Sequence, residues 1–491
     1  MKQLKTIGRV ATPLCGLALL QPLTSCTSVT ATPEKPNIVV LLCDDLGYGD
    51  LGCFGHPQIK TPNLDQLAAE GIRLTNFYSA AAVSSPSRAG LLTGRNPNRA
   101  GFYDFIPGGT KSPICRDLVH LREDEVTIPM LLKTAGYVTC LSGKWHCSSK
   151  FNNPNSGQPS PGDLGFDHWF ATHNNASPSH ENPNNFIRNG VPAGQLEGFS
   201  CELVVDEALG WLKQQDPEAP FYLQVTFHEP HENVASPEHL VEKYLPVSVS
   251  REQAEFFANV ENMDTHAGRL IDYIREHYGD NTLVVFSSDN GPETLLRYSR
   301  AKHSYGSPGE LSGMKLWTRD GGIRVAGIMK WFGKETFNGT TDAVVSSLDY
   351  LPTFCQLAGV ALPDRELDGK SCLDLFDDGE FVRNKPLLWA FYSATNDEVI
   401  ALRDGDWKIT CKLMLADGSG YLPKIENIYD GNIDEVKSCA MSDFKLYNLM
   451  EDIDESDDLS QSNPKEFARM KALLESEYTK LLDGSHIWSR D

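Results

Sequence analysis

Three short segments of the sequence are apolar almost without interruption, and they restrict the possible folds more than any other feature. They occupy residues 37–43, 221–225 and 282–286. A strand with one face in water alternates apolar and polar side chains, whereas a continuous apolar run is typical of a parallel strand that helices cover on both faces. Helical patterns occur between these runs, as where Thr61 and Pro62 begin a helix that Gly71 ends. The alternation predicts an α/β fold whose large, mostly parallel sheet is sandwiched by helices.

The pattern changes after Pro386. Short strand-like segments follow, and apolar residues at helical spacing close the chain between Phe467 and Leu481. We therefore predict an α/β domain over residues 31–385 and a smaller subdomain over residues 386–491, with a small antiparallel sheet and a helix. Residues 149–200 are rich in Asn, Pro, Ser and Gly. Because this segment is too long for a simple connection, we interpret it as a functional surface insertion.

The first residues have the pattern of a targeting signal. A basic start precedes a moderately apolar stretch, and residues 23–26 resemble the lipobox of bacterial lipoproteins. That resemblance implies a signal peptide over residues 1–26, cut before Cys26, which would carry a lipid. An ordinary cleaved signal is the alternative. Since the sequence has no run of roughly 20 uninterrupted apolar residues, we expect membrane contact through the lipid alone. The expected location is the periplasm or outer membrane of a Gram-negative bacterium.

The charge and the cysteines exclude other classes of protein. The formal net charge of −22 argues against a nucleic-acid partner, because a broad basic surface is missing. An anionic substrate would need Arg, Lys and His residues gathered in one pocket. The cysteines beyond Cys26 are scattered without the spacing of a zinc site, and most are expected to be buried apolar side chains.

Two pairs of polar residues follow two of the predicted strands. They are Asp44-Asp45 and Asp289-Asn290. Ligands of doubly wound proteins gather at the carboxyl ends of the strands, and oxygen side chains suit a hard divalent cation. Calcium is favoured over zinc because no Cys or His joins these pairs. Each pair alone would more often be a turn or a helix cap. The glycine-rich turns that follow both pairs favour one calcium site.

The segment from Ser84 to Arg95 reads SSPSRAGLLTGR. Ser85 and Pro86 predict the start of a helix, with Ser85 as the N-cap and an anion favoured beside Ser84. A capping turn would account for Ser85 and Pro86, but not for the whole segment.

This segment resembles the signature of the type I sulfatase family in the alkaline phosphatase superfamily. The signature begins with Cys or Ser, any residue, Pro, Ser and Arg, and ends Leu-Thr-Gly-Arg. The resemblance extends from about Asn37 to the C-terminal helix and implies an alkaline phosphatase-like fold. Other segments that support it are Cys43–Asp50, Gly143–His146, Pro230–His231, Ser288–Gly291 and Leu311–Lys315. Departures at Cys147, Asp320 and Ala326 remove no catalytic group of the family.

The resemblance implies hydrolysis of sulfate esters on carbohydrates, by exo-type action. Residues 227–231 resemble family members that act on galactose or N-acetylgalactosamine sulfates. In the family the first signature residue, here Ser84, is oxidised to formylglycine. The serine version is matured by a radical enzyme that works without oxygen, so an anaerobic sulfatase-maturing enzyme is an expected partner beside the sulfated sugar.

The resemblance also implies a role for each motif residue. One Ca²⁺ ion would be held by the two acidic pairs together with Ser84. Arg88 would hold the nucleophile, and Lys144 and Lys315 would neutralise charge on the sulfate. His231 would protonate the departing sugar oxygen, and His146 would act as general base. The metal ligands implied are Asp44, Asp45, Ser84, Asp289 and Asn290.

Four further residues are candidate sugar contacts. His228 is either a substrate contact or a structural partner, and His173, Asn174 and Asn175 lie in the predicted insertion. Two other functions stay open from the sequence. The first is a phosphodiesterase or phosphonate hydrolase of the same superfamily, and the second is a non-catalytic glycan-binding lipoprotein in which Ser84 is never oxidised.

Overall fold

The computed structural model describes residues 35–108, 111–297 and 301–490. The predicted signal peptide and the lipidation site Cys26 lie outside these residues. Within the described residues, no helix combines the length and the apolar character that crossing a bilayer requires. The ten cysteines in the described part of the chain are free thiols.

The larger sheet contains eleven strands within the described residues, and its central strands are parallel. Its order is β10-β2-β9-β8-β1-β7-β3-β4-β5-β6, and β11 pairs with β2. The strands are β1 (Asn37–Asp44), β2 (Ile72–Tyr78), β3 (Val138–Lys144), β4 (His168–Thr172), β5 (Ile187–Arg188), β6 (Val191–Pro192), β7 (Phe221–Pro230), β8 (Thr282–Ser288), β9 (Arg324–Phe332), β10 (Gly339–Thr341) and β11 (Val345–Ser346).

Helices cover both faces of this sheet, which confirms the predicted α/β fold. The helices of the chain are α1 (Pro62–Glu70), α2 (Ser84–Thr93), α3 (Ile128–Lys133), α4 (Ser200–Leu212), α5 (Glu238–Tyr244), α6 (Arg251–Tyr278), α7 (Asp320–Ile323), α8 (Tyr350–Ala358), α9 (Leu375–Asp378), α10 (Ile433–Ser438) and α11 (Pro464–Asp483). Apolar residues of α1, α4 and α6 pack on one face, and those of α2, α3 and α8 pack on the other.

Strand β1 shows why its sequence is apolar throughout. Ile38, Val40 and Leu42 belong to one hydrophobic core, and Val39 and Leu41 belong to the core on the opposite face. All are at most 1% exposed. Each buried aliphatic side chain stabilises the fold by about 1.5–3 kcal/mol relative to an exposed one. Burial on both faces therefore favours a position for β1 in the centre of the sheet.

A second, antiparallel sheet follows at the C-terminal end, as predicted. Its order is β12-β13-β14-β15, and apolar residues of α11 share a core with β14. Its strands are β12 (Leu387–Ala390), β13 (Ile400–Asp404), β14 (Trp407–Met414) and β15 (Ala440–Asn448). The 149–200 segment differs from the predicted insertion, because β4, β5 and β6 extend the edge of the larger sheet. These strands are too short for a clear periodicity in the sequence.

A buried ion cluster connects the two sheets. The Lys408 Nζ on β14 lies 2.7 Å from Asp320 Oδ1 and 2.8 Å from Glu455 Oε1. Tyr78 on β2 donates to Asp320 Oδ2 at 2.6 Å, and Arg403 on β13 donates to the Tyr78 hydroxyl. Burial raises the pKa of Asp320, but Lys408 and the neighbouring arginines outweigh it and lower that pKa to about 2. The cluster therefore holds charged groups that are costly to bury singly.

We predict that Lys408→Met destabilises the protein by about 3–5 kcal/mol, because two buried carboxylates lose a shared cation. The matched control is Lys412→Met on the same strand, where Lys412 pairs with the exposed Asp397. The control should cost less than about 1 kcal/mol. The free energy of unfolding from denaturant titration measures both variants, and equal losses would contradict a stabilising role for the cluster.

Candidate active site

The predicted metal loops meet at the carboxyl edge of the larger sheet. Strands β1 and β8 are adjacent and parallel, with Cys43 opposite Ser288, so the residues that follow both strands emerge together. The Asp289 N–H donates to the Cys43 carbonyl at 3.1 Å. Asp45 adopts a left-handed conformation with φ of 63°, which few residues other than glycine take. The register of two strands thus brings the acidic pairs together.

The three carboxylates form a compact cluster of oxygens. Asp44, Asp45 and Asp289 each offer one oxygen, and these oxygens all lie within 4.8 Å of one another. Asn290 joins them, since its Nδ2 donates to Asp45 Oδ1 at 2.7 Å. All four side chains are buried. The carboxylates and the amide carbonyl of these residues offer only oxygen atoms as ligands. Such a set of ligands fits a hard divalent cation.

Ser84 lies beside this cluster as the first residue of α2. Its hydroxyl donates to Asp44 Oδ1 at 2.9 Å and is 3.3 Å from Asn290 Oδ1. The predicted N-cap was wrong, because Val83 occupies that position and the helix begins one residue before Ser85. The Ser85 hydroxyl instead accepts the N–H of Ile106 at 2.9 Å. The Ser85 side chain thus makes a long-range hydrogen bond where the sequence predicted a hydrogen bond that caps its own helix.

Arg88 stands one turn after Ser84 on the same face of α2. Its Nε donates to Asp289 Oδ2 at 2.8 Å, and its Nη1 donates to the Lys144 carbonyl at 3.0 Å. Burial lowers the pKa of Arg88, but Asp289 and Asp44 more than compensate and raise it. Arg88 is therefore a permanent cation beneath the cluster.

Two lysines approach the cluster from other segments. The Lys144 Nζ donates to Asp44 Oδ2 at 2.6 Å, and the Lys315 Nζ donates to Asp45 Oδ2 at 2.7 Å. Burial raises the pKa of Asp44, but Lys144 and the other nearby cations bring it well below its ordinary range. Gly143 lets β3 approach β7 closely: it has φ of 120°, and an added Cβ would lie 1.8 Å from the Thr226 carbonyl.

Two of the predicted histidines border the same space. His146 Nε2 is 3.2 Å from the Ile106 carbonyl, and its buried Nδ1 has no hydrogen-bond partner within the described chain. Burial, together with Lys144, holds the pKa of His146 well below its usual value. His231 Nδ1 is 2.6 Å from the Glu232 carbonyl, and its Nε2 is 3.6 Å from Asp45 Oδ2. Burial lowers the pKa of His231, and Lys315 adds to this effect.

An open cavity of about 300 Å³ gives access to these groups, and we call it the catalytic cavity. Three cationic side chains line its wall: Lys144, Arg297 and Lys315. Six predicted site residues line it, and sequence reasoning missed the other four, which belong to no recognisable motif. The lining residues are Val83, Ser84, Phe105, Lys144, His146, Asn174, His231, Arg297, Lys315 and Leu316.

Three candidate sugar contacts do not line the catalytic cavity. His228 is completely buried, and its Nε2 lies 2.8 Å from the Thr172 hydroxyl. His173 packs edge-on against His146, with ring centroids 5.4 Å apart. The Asn175 carbonyl accepts a hydrogen bond from Asn185 at 2.8 Å. The structure therefore does not bring these three residues into the catalytic cavity.

Comparisons with known proteins agree with this arrangement. The sequence profile of the Sulfatase family matches residues 36–360. The chain is 32% identical to human N-acetylgalactosamine-6-sulfatase, over 73% of this chain and 69% of that protein. It is 33% identical to human arylsulfatase A, over 77% of this chain and 75% of that protein.

The fold also matches that of PsFucS1 sulfatase from Pseudoalteromonas sp., with a TM-score of 0.69 and 25% identity, over 93% of this chain and 92% of that chain. The structure of Ps i-CgsB in complex with k-i-k-neocarrahexaose matches with a TM-score of 0.73 and 24% identity, over 92% of this chain and 94% of that chain. Profile, relatives and fold agree on one family. The chain belongs to the sulfatase family of the alkaline phosphatase superfamily and is a sulfuric ester hydrolase.

Proposed function

We propose that this sulfatase removes sulfate esters from the ends of carbohydrate chains through a formylglycine formed at Ser84. The observation that carries the proposal is the position of Ser84, which contacts the buried oxygen cluster and lines the cationic cavity. The relative N-acetylgalactosamine-6-sulfatase is named for a sulfated amino sugar, which supports galactose or N-acetylgalactosamine sulfates as substrates here. Calcium is the ion that we propose for Asp44, Asp45, Asp289 and Asn290.

The two groups added to the chain supply chemistry that serine lacks. Formylglycine at Ser84 would supply, as its hydrate, one hydroxyl for attack on sulfur and a second for release of sulfate. A divalent cation held by Asp44, Asp45, Asp289 and Asn290 would supply Lewis acidity toward a sulfate oxygen and would lower the pKa of a bound hydroxyl. The neighbouring Arg88 adds a fixed positive charge, since its pKa is raised by Asp289.

The cationic residues of the catalytic cavity bind and orient the sulfate group. Lys144 and Lys315 both line the cavity while contacting Asp44 and Asp45, so they hold fixed positions next to the site of reaction. Cations preorganised where charge develops stabilise a transition state without reorganisation. We therefore assign these two lysines to the oxygens of the sulfate ester.

The two histidines are suited to opposite proton transfers. If His146 Nε2, which lies next to the Ile106 carbonyl, carries the ring proton, then Nδ1 has a free lone pair. That lone pair can accept a proton. We assign His146 as the general base that releases sulfate. His231 Nδ1 donates to the Glu232 carbonyl, so Nε2 can pass a proton to the departing sugar oxygen only from the doubly protonated ring. Burial and Lys315 lower the pKa of His231, whereas Asp45 and Asp44 oppose them and favour the protonated ring.

We also propose where the protein works. The lipobox-like residues 23–26 support export and attachment of a lipid to Cys26, in the periplasm or on the outer membrane. A serine in the first signature position supports maturation by an anaerobic sulfatase-maturing enzyme. An exported, lipid-anchored sulfatase would suit the degradation of sulfated glycans.

The first prediction of the proposed function concerns Ser84. When the protein is produced with its maturing enzyme, the tryptic peptide Leu74–Arg88 should lack two hydrogens at Ser84. The matured protein should release sulfate from galactose or N-acetylgalactosamine sulfates, and Ser84→Ala should lower kcat by about 10⁴-fold or more. Peptide mass spectrometry and sulfate release measure the two effects.

The phosphodiester bis(4-nitrophenyl) phosphate and a phosphonate monoester serve as competing substrates. Faster turnover of either than of every sugar sulfate would contradict the proposal and favour a phosphodiesterase or phosphonate hydrolase. An unmodified Ser84 in active protein from matured cells would contradict the formylglycine mechanism itself.

The second prediction concerns the metal. After removal of bound ions, added Ca²⁺ should raise the melting temperature, because a ligand that binds only the folded state stabilises it by about 2.7 kcal/mol at 100 times its Kd. Asp45→Asn should weaken this response, whereas the exposed Asp216→Asn should not. Differential scanning calorimetry measures the shift. A larger response to Zn²⁺ than to Ca²⁺ would overturn the choice of ion.

The third prediction separates the role of His231 from a general loss of structure. A general acid contributes about 10²–10⁴-fold and matters most when the leaving group is poor. His231→Ala should therefore slow the release of sulfate from a sugar much more than from 4-nitrophenyl sulfate. The exposed His239→Ala is the control. Equal losses on both substrates would show that His231 is not the proton donor.

A further inference from the structure

A second cavity adjoins the catalytic cavity. Its volume is about 410 Å³, within the usual range for ligand pockets of about 300–1,000 Å³. Phe105 and Leu316 line both cavities, so the two spaces share a wall. The far side is formed by the C-terminal subdomain, including Lys424, Asn427 and Tyr429. A molecule whose one end reaches Ser84 can therefore extend past two apolar side chains into this second space.

The shared wall is held in place by hydrogen bonds. Leu316 adopts φ of 67°, an unusual conformation for a residue with a side chain. Its N–H donates to the Ala82 carbonyl, and its carbonyl accepts the N–H of Thr395, both at 2.9 Å. Such a conformation persists only where the surroundings enforce it, and it is often found at ligand-binding sites. Leu316 directly follows Lys315, so this fixed stretch of backbone adjoins the lysine that we assign to the sulfate.

Phe105 is fixed in a similar way. Its N–H donates to Asp104 Oδ1 and its carbonyl accepts from Arg116 Nη2, each at 2.7 Å. The Arg116 guanidinium carbon lies 4.6 Å from the centre of the ring. The side chain is nevertheless 40% exposed. A positioned but exposed aromatic ring between two cavities offers an apolar surface to a sugar ring that crosses it.

The polar groups of the second cavity differ from those of the catalytic cavity. Glu426 is paired with Arg116, and Asp104 accepts a hydrogen bond from Ser393 at 2.8 Å, so the acidic groups have partners. Buried Asn427 donates through Nδ2 to the Ile114 carbonyl at 2.8 Å, while its Oδ1 has no partner among the described residues. A buried amide oxygen without a partner is suited to accept a hydrogen bond from a ligand hydroxyl.

We propose that the second cavity is a subsite for an uncharged sugar residue joined to the sulfated sugar. This rests on the proposed function, since the sulfated sugar must occupy the catalytic cavity. Among the described residues, the catalytic cavity is lined by the cations Lys144, Arg297 and Lys315, whereas Lys424 is the single cation that lines the second cavity. The preferred substrate is therefore an oligosaccharide whose neutral second sugar contacts Phe105 and the C-terminal subdomain.

The test compares kcat/KM for one sulfated monosaccharide with that for the same sugar linked to a neutral hexose. The disaccharide should be preferred by about tenfold, the factor that 1.4 kcal/mol of added binding supplies. Thr395 lies on the wall of the second cavity only, and Thr395→Trp would fill that space. This variant should lower the ratio of the two kcat/KM values by about tenfold. The exposed Thr134→Trp, at the C-terminal end of α3 and in the lining of neither cavity, should leave the ratio unchanged.

A second arm tests the chemical class. Replacing the neutral hexose by a uronic acid should remove most of the preference, and Asn427→Leu should lower the ratio for the neutral disaccharide. A ratio near one for the native protein, or a stronger preference for the uronic acid, would overturn the inference and leave the proposed function intact. If the matured protein released sulfate from no sugar at all, the proposed function would fail and the subsite with it.

Discussion

The site depends on the balance of charge at one edge of the larger sheet. Three carboxylates converge there in a buried space, and three cations contact them: Arg88, Lys144 and Lys315. Removing like charges from water at such short range is unfavourable unless opposite charges or a metal ion accompany them. The cations come from a helix, a strand end and a loop. The cluster therefore holds three separate elements against the ends of β1 and β8.

The smaller sheet contributes to the same site from a distance. Lys408 and Arg403 contact the buried group formed by Tyr78 and Asp320, and Asp320 begins the helix that follows the Lys315 loop. The segment that contains the smaller sheet thus stabilises the loop that carries Lys315. It also forms the far side of the second cavity. A subdomain that bears no catalytic motif can therefore influence both the position of the lysine and the choice of substrate.

The central strands and the motif residues could be predicted because local sequence encodes them. A strand buried on both faces must be apolar throughout, and Asp44 and Asp289 directly follow such strands. The edge strands β4 to β6 escaped prediction because short strands show no clear periodicity. The helix start at Ser84 was misplaced by one residue, since the Ser85 hydroxyl binds the backbone of Ile106 and not its own helix. Long-range partners of this kind leave no local pattern.

The sequence alone determined the alternation of strands and helices, the acidic pairs and the signature around Ser84, because each follows from residues that are neighbours in the chain. Only the tertiary structure decided which candidate side chains line the catalytic cavity. His228 and Asn174 were both candidate sugar contacts in the sequence, yet His228 is buried outside the catalytic cavity and Asn174 lines it. Phe105 and Leu316 became neighbours through folding alone. Contacts between distant segments depend on strand order and packing, which no short motif records.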